Sequence, residues 1–547
     1  MAGMTGITVF QARKVLTMNP TRPCATHVAV REGRILGVGS PEELSAWGPA
    51  ELDTRFADKV LLPGLVEGHS HLMAGALWRY AYVGYHDCLD PDNRVAPGAP
   101  SLDAVVAALA HVAAAKADAS VPVVGWGFDP IYFGAQRCTR HDLDRVSTAS
   151  AVGVMHASGH ILNVNSAALE QAGLLRAGVE HPGIPLGPDG LPTGELKGPD
   201  AMAPVMRLIG LDRSFLGGDE AGIHAFGKLC VRAGVTTATD LAATLHDDDV
   251  STLLRLTDDA HYPVRIVPLL RLIGISPKAA VDKAAALARR STERLRLGAI
   301  KVVADGSIQG YSARLRWPGY VNGAPNGLWY TAPEAIRECF TLALGQGVQV
   351  HTHTNGDEAT ALVLDCMQQA LAAQPALEHR FILQHCQLAD AVQFRRIKAL
   401  GMGVNLFANH LYYWGEQHRA VTVGPERADR MNACRTALDT GVPLAVHSDA
   451  PITPLAPLFT AWCAANRLSS EGRVMGASEC ISVMEALHAV TLGAAWTLRL
   501  DGEIGSIECG KRADFCVLAQ DPTALPALAL KDIPVWGTVQ GGRVFPA

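Results

Sequence analysis

The middle of the chain alternates short β-branched runs with helical stretches rich in Ala and Leu, and this alternation restricts the fold more than any other feature. Such alternation is typical of a parallel sheet or barrel built from βα units. The eight candidate strands are Leu65–His69, Val235–Asp240, Val264–Leu270, Ala299–Val303, Val348–His353, Phe381–His385, Gly403–Phe407 and Pro443–His447. Eight strands with helical segments between most of them predict an α/β fold of the (β/α)₈, or TIM-like, barrel type.

Two parts of the chain lie outside this pattern. The segment between the first two strands is far too long for a βα connection, and we interpret it as an insertion that caps the active site, because loops at this end of a barrel carry function. Both chain ends contain short strands with Gly-centred turns such as Glu32-Gly33, which predicts one composite β-sandwich domain. The predicted domains are 1–60 with 500–547 (β-domain), 61–71 with 217–499 (barrel), and 72–216 (insertion).

Composition excludes several classes of protein. With 547 residues, 48% of them hydrophobic and 18% charged, the chain can bury a large core, so we expect little disorder. A net charge of −6 without long blocks of like charge argues against a nucleic-acid partner. We find no apolar run of signal-peptide or membrane-helix length, and the 12 Cys residues are scattered, so we expect no membrane partner, a cytoplasmic location and reduced thiols.

The first candidate strand ends in a His-x-His pair. His69 and His71 are two residues apart in an extended segment, so their side chains share one face. Two imidazoles on one face suit a single metal ion. One such pair can also arise by chance in a chain with 20 His residues, so further ligands are needed to support a metal site.

Other candidate strands also end in residues that can bind metal. His353 and His385 end strands five and six, and Asp449 follows strand eight. Lys301 lies among apolar residues in strand four, where a bare ammonium is costly to bury, so its pKa is lowered or it is chemically altered. Each of these residues alone fits an ordinary core or turn position. Together they favour a metal site, because the ends of barrel strands meet at one mouth.

Seven motifs, in this order, cover nearly the whole chain: PGLVEGHSH, GHILNVNSAAL, IKVVADGS, HTHTNGDEA, LQHCQ, HSDAP and GSIECGKRADFCVL. In these motifs the chain resembles the amidohydrolase superfamily, specifically its amidohydrolase-3 or YtcJ-like group. The resemblance implies a barrel with a small β-domain made from both termini, and a carboxylated Lys301 that can bridge two metal ions. The implied metal ligands are His69, His71, Lys301, His353, His385 and Asp449. Zinc is favoured, as one or two ions, with nickel, manganese and iron as alternatives.

The ligand set implies hydrolysis by a metal-activated water, with Asp449 as the catalytic proton shuttle. His160 matches a family His that can hydrogen-bond the substrate carbonyl, although a structural His near a turn is an equal alternative. Residues that match family positions near the metal, in orienting roles, are Asp305, Asn355 and Asp357. Candidate substrate-binding residues, with ordinary packing as the alternative, are Trp126, Asp129, His160, Tyr311, His410 and Trp414. His351 and His447 are set aside, because their side chains are expected on the opposite faces of their strands.

The predicted activity is metal-dependent hydrolysis of a carbon–nitrogen bond other than a main-chain peptide, in an amide, N-formyl, cyclic amide or carbamate-like small molecule. A lactone or ester hydrolase remains an alternative, because the same activated water attacks either carbonyl. A deaminase on the same barrel would typically lack the lysine ligand in strand four, so Lys301 argues against it. A non-catalytic binding protein is disfavoured, because all six ligand positions are intact. The family also makes a homodimer reasonable.

Overall fold

The computed structural model describes residues 6–118, 120–134, 136–211 and 219–547. The chain divides into two compact units. The first comprises Met1–His71, Gly227–Asp449 and Leu455–Ala547, and the second comprises Leu72–Phe226 and Ala450–Pro454. The predicted boundary between residues 216 and 217 lies outside the described residues, so the extent of the insertion stays a prediction.

Eight parallel strands form the main sheet of the first unit, and neighbours in the sheet follow one another along the chain. Barrel strands 1 to 8 are Leu65–Glu67, Val235–Ala243, Arg265–Arg271, Ala299–Val303, Gln349–Thr354, Ile382–His385, Gly403–Leu406 and Leu444–Val446. Each overlaps its predicted strand, and the sheet fits a TIM-like barrel. Strands 1 and 8 approach each other where they end, since the Asp449 amide donates to the His69 carbonyl at 3.0 Å.

The helix between barrel strands 4 and 5 shows how the sequence specifies these elements. Pro333 at the first helical turn and Gly347 in the left-handed conformation at its end set its bounds. Ile336, Phe340 and Leu344 recur every four residues and are buried on one face. The α-helices of the described ranges are Pro41–Leu44, Met73–Ala76, Leu102–Ala114, Arg140–Asp144, Ser166–Gln171, Pro199–Leu208, Glu220–Arg232, Asp247–Asp258, Pro277–Ala288, Pro333–Gln346, Asp357–Ala373, Ala391–Ala399, Asn409–Gln417, Pro425–Arg430, Cys434–Thr440, Pro457–Asn466, Val483–Ala489 and Leu492–Thr497. Among the described residues, none of these helices is both long and apolar enough to cross a bilayer.

Strands from both chain ends share a second sheet of the first unit, which we call the terminal sheet. Its seven strands are Ile7–Leu16, Cys24–Arg31, Arg34–Gly39, Ala50–Pro63, Phe515–Leu518, Val535–Gln540 and Arg543–Pro546. The two ends meet where Phe515 pairs antiparallel with Pro63. The predicted turn at Glu32-Gly33 joins two of these strands, and both of its residues have positive φ, at 52° and 74°.

The second unit contains a five-stranded sheet of Ala81–Tyr82, Val123–Phe128, Val152–His156, Ile161–Val164 and Glu195–Lys197, and a two-stranded sheet of Cys88–Leu89 and Val95–Ala96. The two apolar runs of this segment, VPVVGWGFD and AVGVMHASGH, supply two adjacent, parallel strands of the larger sheet. Side chains from these strands, including Val124, Trp126 and Met155, are buried in the apolar core of this unit.

A buried ion pair joins the barrel to the terminal sheet. Arg265, which begins barrel strand 3, donates to the Asp514 carboxylate at 2.8 Å, and both side chains are 3% exposed. Arg265 also donates to the Thr237 hydroxyl and the Glu293 carbonyl, each at 2.8 Å, while the other Asp514 oxygen accepts from the Gly541 amide. Both charges are therefore paired and hydrogen-bonded, as burial requires.

Replacing Arg265 by methionine is expected to lower the free energy of unfolding by about 3–5 kcal/mol, because Asp514 is left as an uncompensated buried charge. Unfolding in urea measures this loss. Lys278→Met removes an exposed ion pair with Asp282 and should cost at most about 1 kcal/mol. Equal, small losses in the two variants would show that the buried pair does not stabilise the junction.

Candidate metal centre

Barrel strands 1, 4, 5, 6 and 8 bring five of the predicted ligands to the same region of the first unit. His69, Lys301, His353, His385 and Asp449 are all at least 91% buried. The His385 ring lies 4.5 Å from the ring of His69 and 4.4 Å from that of His353, centroid to centroid. Burying three imidazoles, an amine and a carboxylate together is unfavourable unless they share a partner. The cluster therefore has the character of a functional site.

Asp449 is at the middle of this cluster. Its Oδ1 lies 3.3 Å from His69 Nε2 and 3.2 Å from His71 Nε2, and its Oδ2 lies 3.8 Å from His385 Nδ1. Burial raises the pKa of Asp449, but the hydrogen bond and charge of His71 outweigh burial and bring the pKa below its usual value. The carboxylate therefore stays ionised, which a metal ligand must be. One ligand atom each from His69, His71 and Asp449 lies within 4.8 Å of the others.

A chain of hydrogen bonds fixes the ring of His69. His69 Nδ1 lies 2.8 Å from Oε1 of Gln384, which can only accept, so Nδ1 carries the proton and Nε2 faces Asp449 with its lone pair. Gln384 Nε2 donates to His351 Nδ1 at 2.8 Å, and His351 Nε2 donates to the Thr497 carbonyl at 2.9 Å. His351 is therefore part of this orienting chain, and Gln384, which the sequence analysis missed, is its central link.

Replacing Gln384 by leucine is expected to weaken divalent metal binding about 10- to 100-fold, since His69 loses the acceptor that fixes its tautomer. Competition of the protein with a metal-binding dye measures this affinity. Gln393→Leu is the matched control, because Gln393 is also buried but bonds the Asp357 carbonyl in a helix cap. Unchanged metal affinity in Gln384→Leu would show that this chain of hydrogen bonds does not support metal binding.

The amine of Lys301 is buried without a hydrogen bond. Its Nζ has no hydrogen-bond partner among the described residues. Burial lowers the pKa of Lys301 to about 7, although Asp449 opposes this change. A neutral amine is therefore accessible near pH 7, and a neutral amine is the form that reacts with CO₂. The position fits the expectation that Lys301 is altered.

His71 is held between two carboxylates. Besides Asp449, Asp240 at the end of barrel strand 2 places Oδ1 3.8 Å from His71 Nδ1, too far for a hydrogen bond but close enough for charge attraction. Burial lowers the pKa of His71, but the two carboxylates outweigh burial and raise it to about 9. Asp240 is a neighbour of the centre that sequence reasoning did not single out.

Two further residues of the centre were missed. Glu67 accepts from the Ser448 hydroxyl at 2.7 Å and from two backbone amides, which links barrel strand 1 to strand 8, and burial raises the pKa of Glu67 to about 8. His447, set aside in the sequence analysis, stacks on His69 at 4.6 Å. With His69 and His385 it forms a second group whose ligand atoms lie within 4.8 Å. His447 is thus a further candidate ligand.

The loop after barrel strand 4 supports His353. His353 Nε2 lies 3.2 Å from the Gly306 carbonyl and 3.1 Å from Asn355 Nδ2. Asp305 accepts from the backbone amides of Asn355, Gly356 and Arg314, and burial raises its pKa to about 7 despite these bonds. Asp305 and Asn355 therefore lie beside His353, and their orienting roles toward a metal stay predictions. Asp357 instead accepts from the Arg316 and Glu358 amides and fixes the same loop at its outer side.

Three predicted substrate-binding residues belong to the first unit. His410 and Trp414 are buried in the helix after barrel strand 7, with ring centroids 4.4 Å apart. His410 also bonds the buried His418 at 3.0 Å and packs on Phe407. Tyr311 packs edge-on against Tyr320. All three side chains therefore have packing contacts within the first unit. Their contact with a substrate stays a prediction.

The other three candidate residues belong to the second unit. Trp126 is 5% exposed and packs edge-on against Trp78 and Tyr82. The Asp129 carboxylate accepts from the Ile131 amide and caps a short helical turn. The backbone of His160 bonds the Ser158 hydroxyl and the Gly198 amide. The predicted roles of Trp126, Asp129 and His160 toward a substrate stay predictions.

The donor atoms of the first unit fit a divalent cation. Nδ1 of His385 and Nζ of Lys301 are buried and lack hydrogen bonds among the described residues, which a bound ion would correct. Imidazole nitrogen together with carboxylate oxygen is a ligand set that zinc accepts readily, and manganese, nickel and iron also bind such sets.

A sequence model of the amidohydrolase family matches residues 57–546, which is most of the chain. The chain is 28% identical to the putative amidohydrolase YtcJ of Bacillus subtilis (strain 168) over 545 residues, covering 94% of this chain and 95% of the relative. It is 25% identical to an N-substituted formamide deformylase of Arthrobacter pascens over 559 residues, covering 99% and 98% of the two chains.

Solved structures share this fold. An uncharacterized metal-dependent hydrolase from Pyrococcus horikoshii OT3 superposes with a TM-score of 0.73 at 18% identity, covering 95% of this chain and 99% of that one. A match at this low identity shows a shared fold, but it does not show a shared reaction.

Proposed function

The chain belongs to the amidohydrolase family, and from this premise we propose that it hydrolyses a carbon–nitrogen bond, other than a main-chain peptide bond, in a small molecule. The observation that carries the proposal is the cluster of His69, His71, His385 and Asp449, together with the buried Lys301 amine that lacks a hydrogen-bond partner among the described residues. Strands far apart in sequence supply these groups to one place, and a structural role for so many buried polar groups is costly.

The proposed centre holds a divalent cation, with zinc as the first choice. His69, His71, His353, His385, Asp449 and carboxylated Lys301 would hold it. Carboxylation needs only CO₂: the lone pair of the neutral amine forms a bond to the CO₂ carbon, and one amine proton passes to solvent. The product is an anionic carbamate whose two oxygens can each bind a metal ion.

When bound, such a cation lowers the pKa of a water molecule and polarises a substrate carbonyl. Asp449 is the group that moves the proton. Its Oδ1 lies 3.2 Å from His71 Nε2 and 3.3 Å from His69 Nε2, whereas its Oδ2 lies 3.8 Å from His385 Nδ1. Oδ2 is therefore the oxygen that takes the proton from water and returns it to the leaving nitrogen. The Asp449 backbone bond to His69 keeps the carboxylate in place.

The substrate class is proposed from the relatives. An N-substituted formamide deformylase aligns with this chain over nearly the full length of both, which supports N-formyl amides as the first substrates to test. We further propose that Trp126, Asp129, His160, Tyr311, His410 and Trp414 contribute to substrate binding. A homodimer stays a prediction from the resemblance.

A hydrolysis screen with added Zn²⁺ tests this function. The panel contains N-formyl amines, N-acyl amines, cyclic imides, lactones and an aminopurine, and product analysis distinguishes amine plus carboxylate from free ammonia. We expect turnover of at least one amide class to exceed turnover of every lactone. A clear preference for a lactone would move the activity to ester hydrolysis, and release of ammonia from the aminopurine alone would make the enzyme a deaminase.

A further inference from the structure

A cavity of about 170 Å³ lies at the N-terminal end of the barrel, where barrel strands 2 and 3 meet the terminal sheet. Arg265 begins barrel strand 3 beside this cavity, whereas Arg271, which ends that strand, pairs with Lys301. Six residues of extended strand separate these positions by about 20 Å, since a strand rises about 3.3 Å per residue. The cavity is therefore remote from the metal centre and has no part in the proposed chemistry.

Positive charge exceeds negative charge in the lining of this cavity. Four arginines contribute to it, together with two acidic residues: Arg265, Arg294, Arg512, Arg543, Glu293 and Asp514. Each acidic residue already has an arginine, because Asp514 pairs with Arg265 at 2.8 Å and Glu293 pairs with Arg512. Among the described residues, no carboxylate forms an ion pair with Arg294 or Arg543. The lining thus carries two guanidinium charges without an ion-pair partner in that part of the chain.

Arg294 shows the consequence of this imbalance. Its Nη1 donates to the Asp259 carbonyl at 2.7 Å and its Nη2 to Gln540 Oε1 at 3.3 Å, but both acceptors are neutral. Within the described ranges, its buried Nε has no hydrogen-bond partner, and the same holds for Nε of Arg512, which is 7% exposed. Burial lowers the pKa of Arg294, and the charge of Arg265 lowers it further. Placing a guanidinium charge in a partly buried position without a carboxylate is unfavourable unless a bound anion balances it.

We propose that this cavity binds a small dianion that carries a phosphoryl group. Guanidinium groups recognise phosphate oxygens through pairs of parallel hydrogen bonds, and a phosphoryl dianion matches the two unbalanced charges. The volume suffices, because one water molecule occupies about 30 Å³ in the liquid and a phosphoryl group takes the space of a few. Phe545 lines the same cavity and offers an apolar wall to the organic part of a phosphate monoester.

Binding would tie together parts of the first unit that are distant in sequence. Arg294 precedes barrel strand 4, and Arg543 begins the last strand of the terminal sheet. An anion held between them bridges the barrel and the sheet beside the ion pair of Arg265 and Asp514. Because only the folded protein presents this cavity, the ligand raises the thermal stability by mass action. The site is independent of whether the metal centre hydrolyses an amide.

Thermal unfolding of the metal-loaded enzyme at constant ionic strength tests the proposal. Inorganic phosphate is the first probe, phenyl phosphate the second and chloride the reference. We expect phosphate to raise Tm by a few degrees in a saturable manner. A larger effect of phenyl phosphate at equal concentration would identify a monoester as the ligand, whereas an equal effect would identify free phosphate.

Arginine variants assign the effect to this cavity. Arg543→Gln changes an exposed side chain and should fold normally, yet it should lose most of the phosphate response, as should Arg294→Gln. Arg337→Gln, an exposed arginine on the helix Pro333–Gln346, is the matched control and should respond like the unaltered enzyme. Absence of a response in the unaltered enzyme would overturn the proposal. A full response that persists in Arg543→Gln would also overturn it, because phosphate would then act elsewhere, such as at the metal centre.

Discussion

Replacing Lys301 by methionine is expected to reduce kcat/KM for the amide substrate by roughly 10³-fold or more, equivalent to about 4 kcal/mol of activation free energy. Methionine keeps an apolar side chain of comparable length in the buried strand position, so packing is largely preserved. The lost group is the amine, and with it the carbamate oxygens proposed to bind metal. Steady-state kinetics at saturating Zn²⁺ measure the loss, and metal analysis should show fewer bound ions per chain.

A second variant separates the chemistry of Lys301 from its packing. Lys301→Ala leaves space in which a short carboxylic acid such as propionate can supply the missing oxygens, so added propionate should restore part of the activity. Lys398→Ala, an exposed lysine, serves as the control and should behave like the unaltered enzyme. Native mass spectrometry should show the mass of one CO₂ on the unaltered enzyme and none on either Lys301 variant. Full activity in Lys301→Met would show that Lys301 is not a ligand of the metal centre.

Asp449→Asn is expected to lower kcat by about 10²- to 10⁴-fold while the protein retains metal. The amide can still occupy the space between His69 and His71, but it cannot take a proton from water at Oδ2. Metal analysis and kinetics on the same preparation separate the two effects. If metal and activity fall together, Asp449 acts only as a ligand, and unchanged kcat would reject its role in proton transfer.

Asp357→Asn is the matched control for this experiment. Asp357 lies eight residues beyond the start of barrel strand 5 and accepts two backbone amides at the outer side of the loop. Its replacement should affect stability slightly and leave kcat unchanged. A similar fall in kcat for both variants would mean that any loss of carboxylate in this region is harmful, and that Asp449 has no special part in the reaction.

The barrel and the strand-end residues could be predicted because both follow from local pattern. Alternating strands and helices specify the barrel, and in a parallel barrel all strands end at one mouth, so His385 and Asp449 could be placed together from the sequence. Lys301 stood out because a lysine among apolar strand residues conflicts with the cost of burying charge. These inferences need no knowledge of which side chain touches which.

The supporting contacts could not be predicted, because they depend on register and on neighbours across the sheet. Gln384 reaches His69 over 315 residues of sequence, and Glu67 reaches Ser448 over 381. The alternation of side chains along a strand predicted that His447 faces away from the ligands, and the structure differs from that prediction. Barrel strand 8 ends at Val446, so His447 is no longer bound by strand periodicity, and its ring stacks between those of His69 and Phe407.

Metal content and hydrolytic activity, measured on the same purified protein before and after chelation, test the central claim most directly. We expect one or two tightly bound divalent ions per chain, loss of amide hydrolysis when a chelator removes them, and recovery on addition of Zn²⁺ with bicarbonate. Bicarbonate supplies the CO₂ that carboxylates Lys301. A metal-free preparation that hydrolyses the same amide at the full rate would contradict the account.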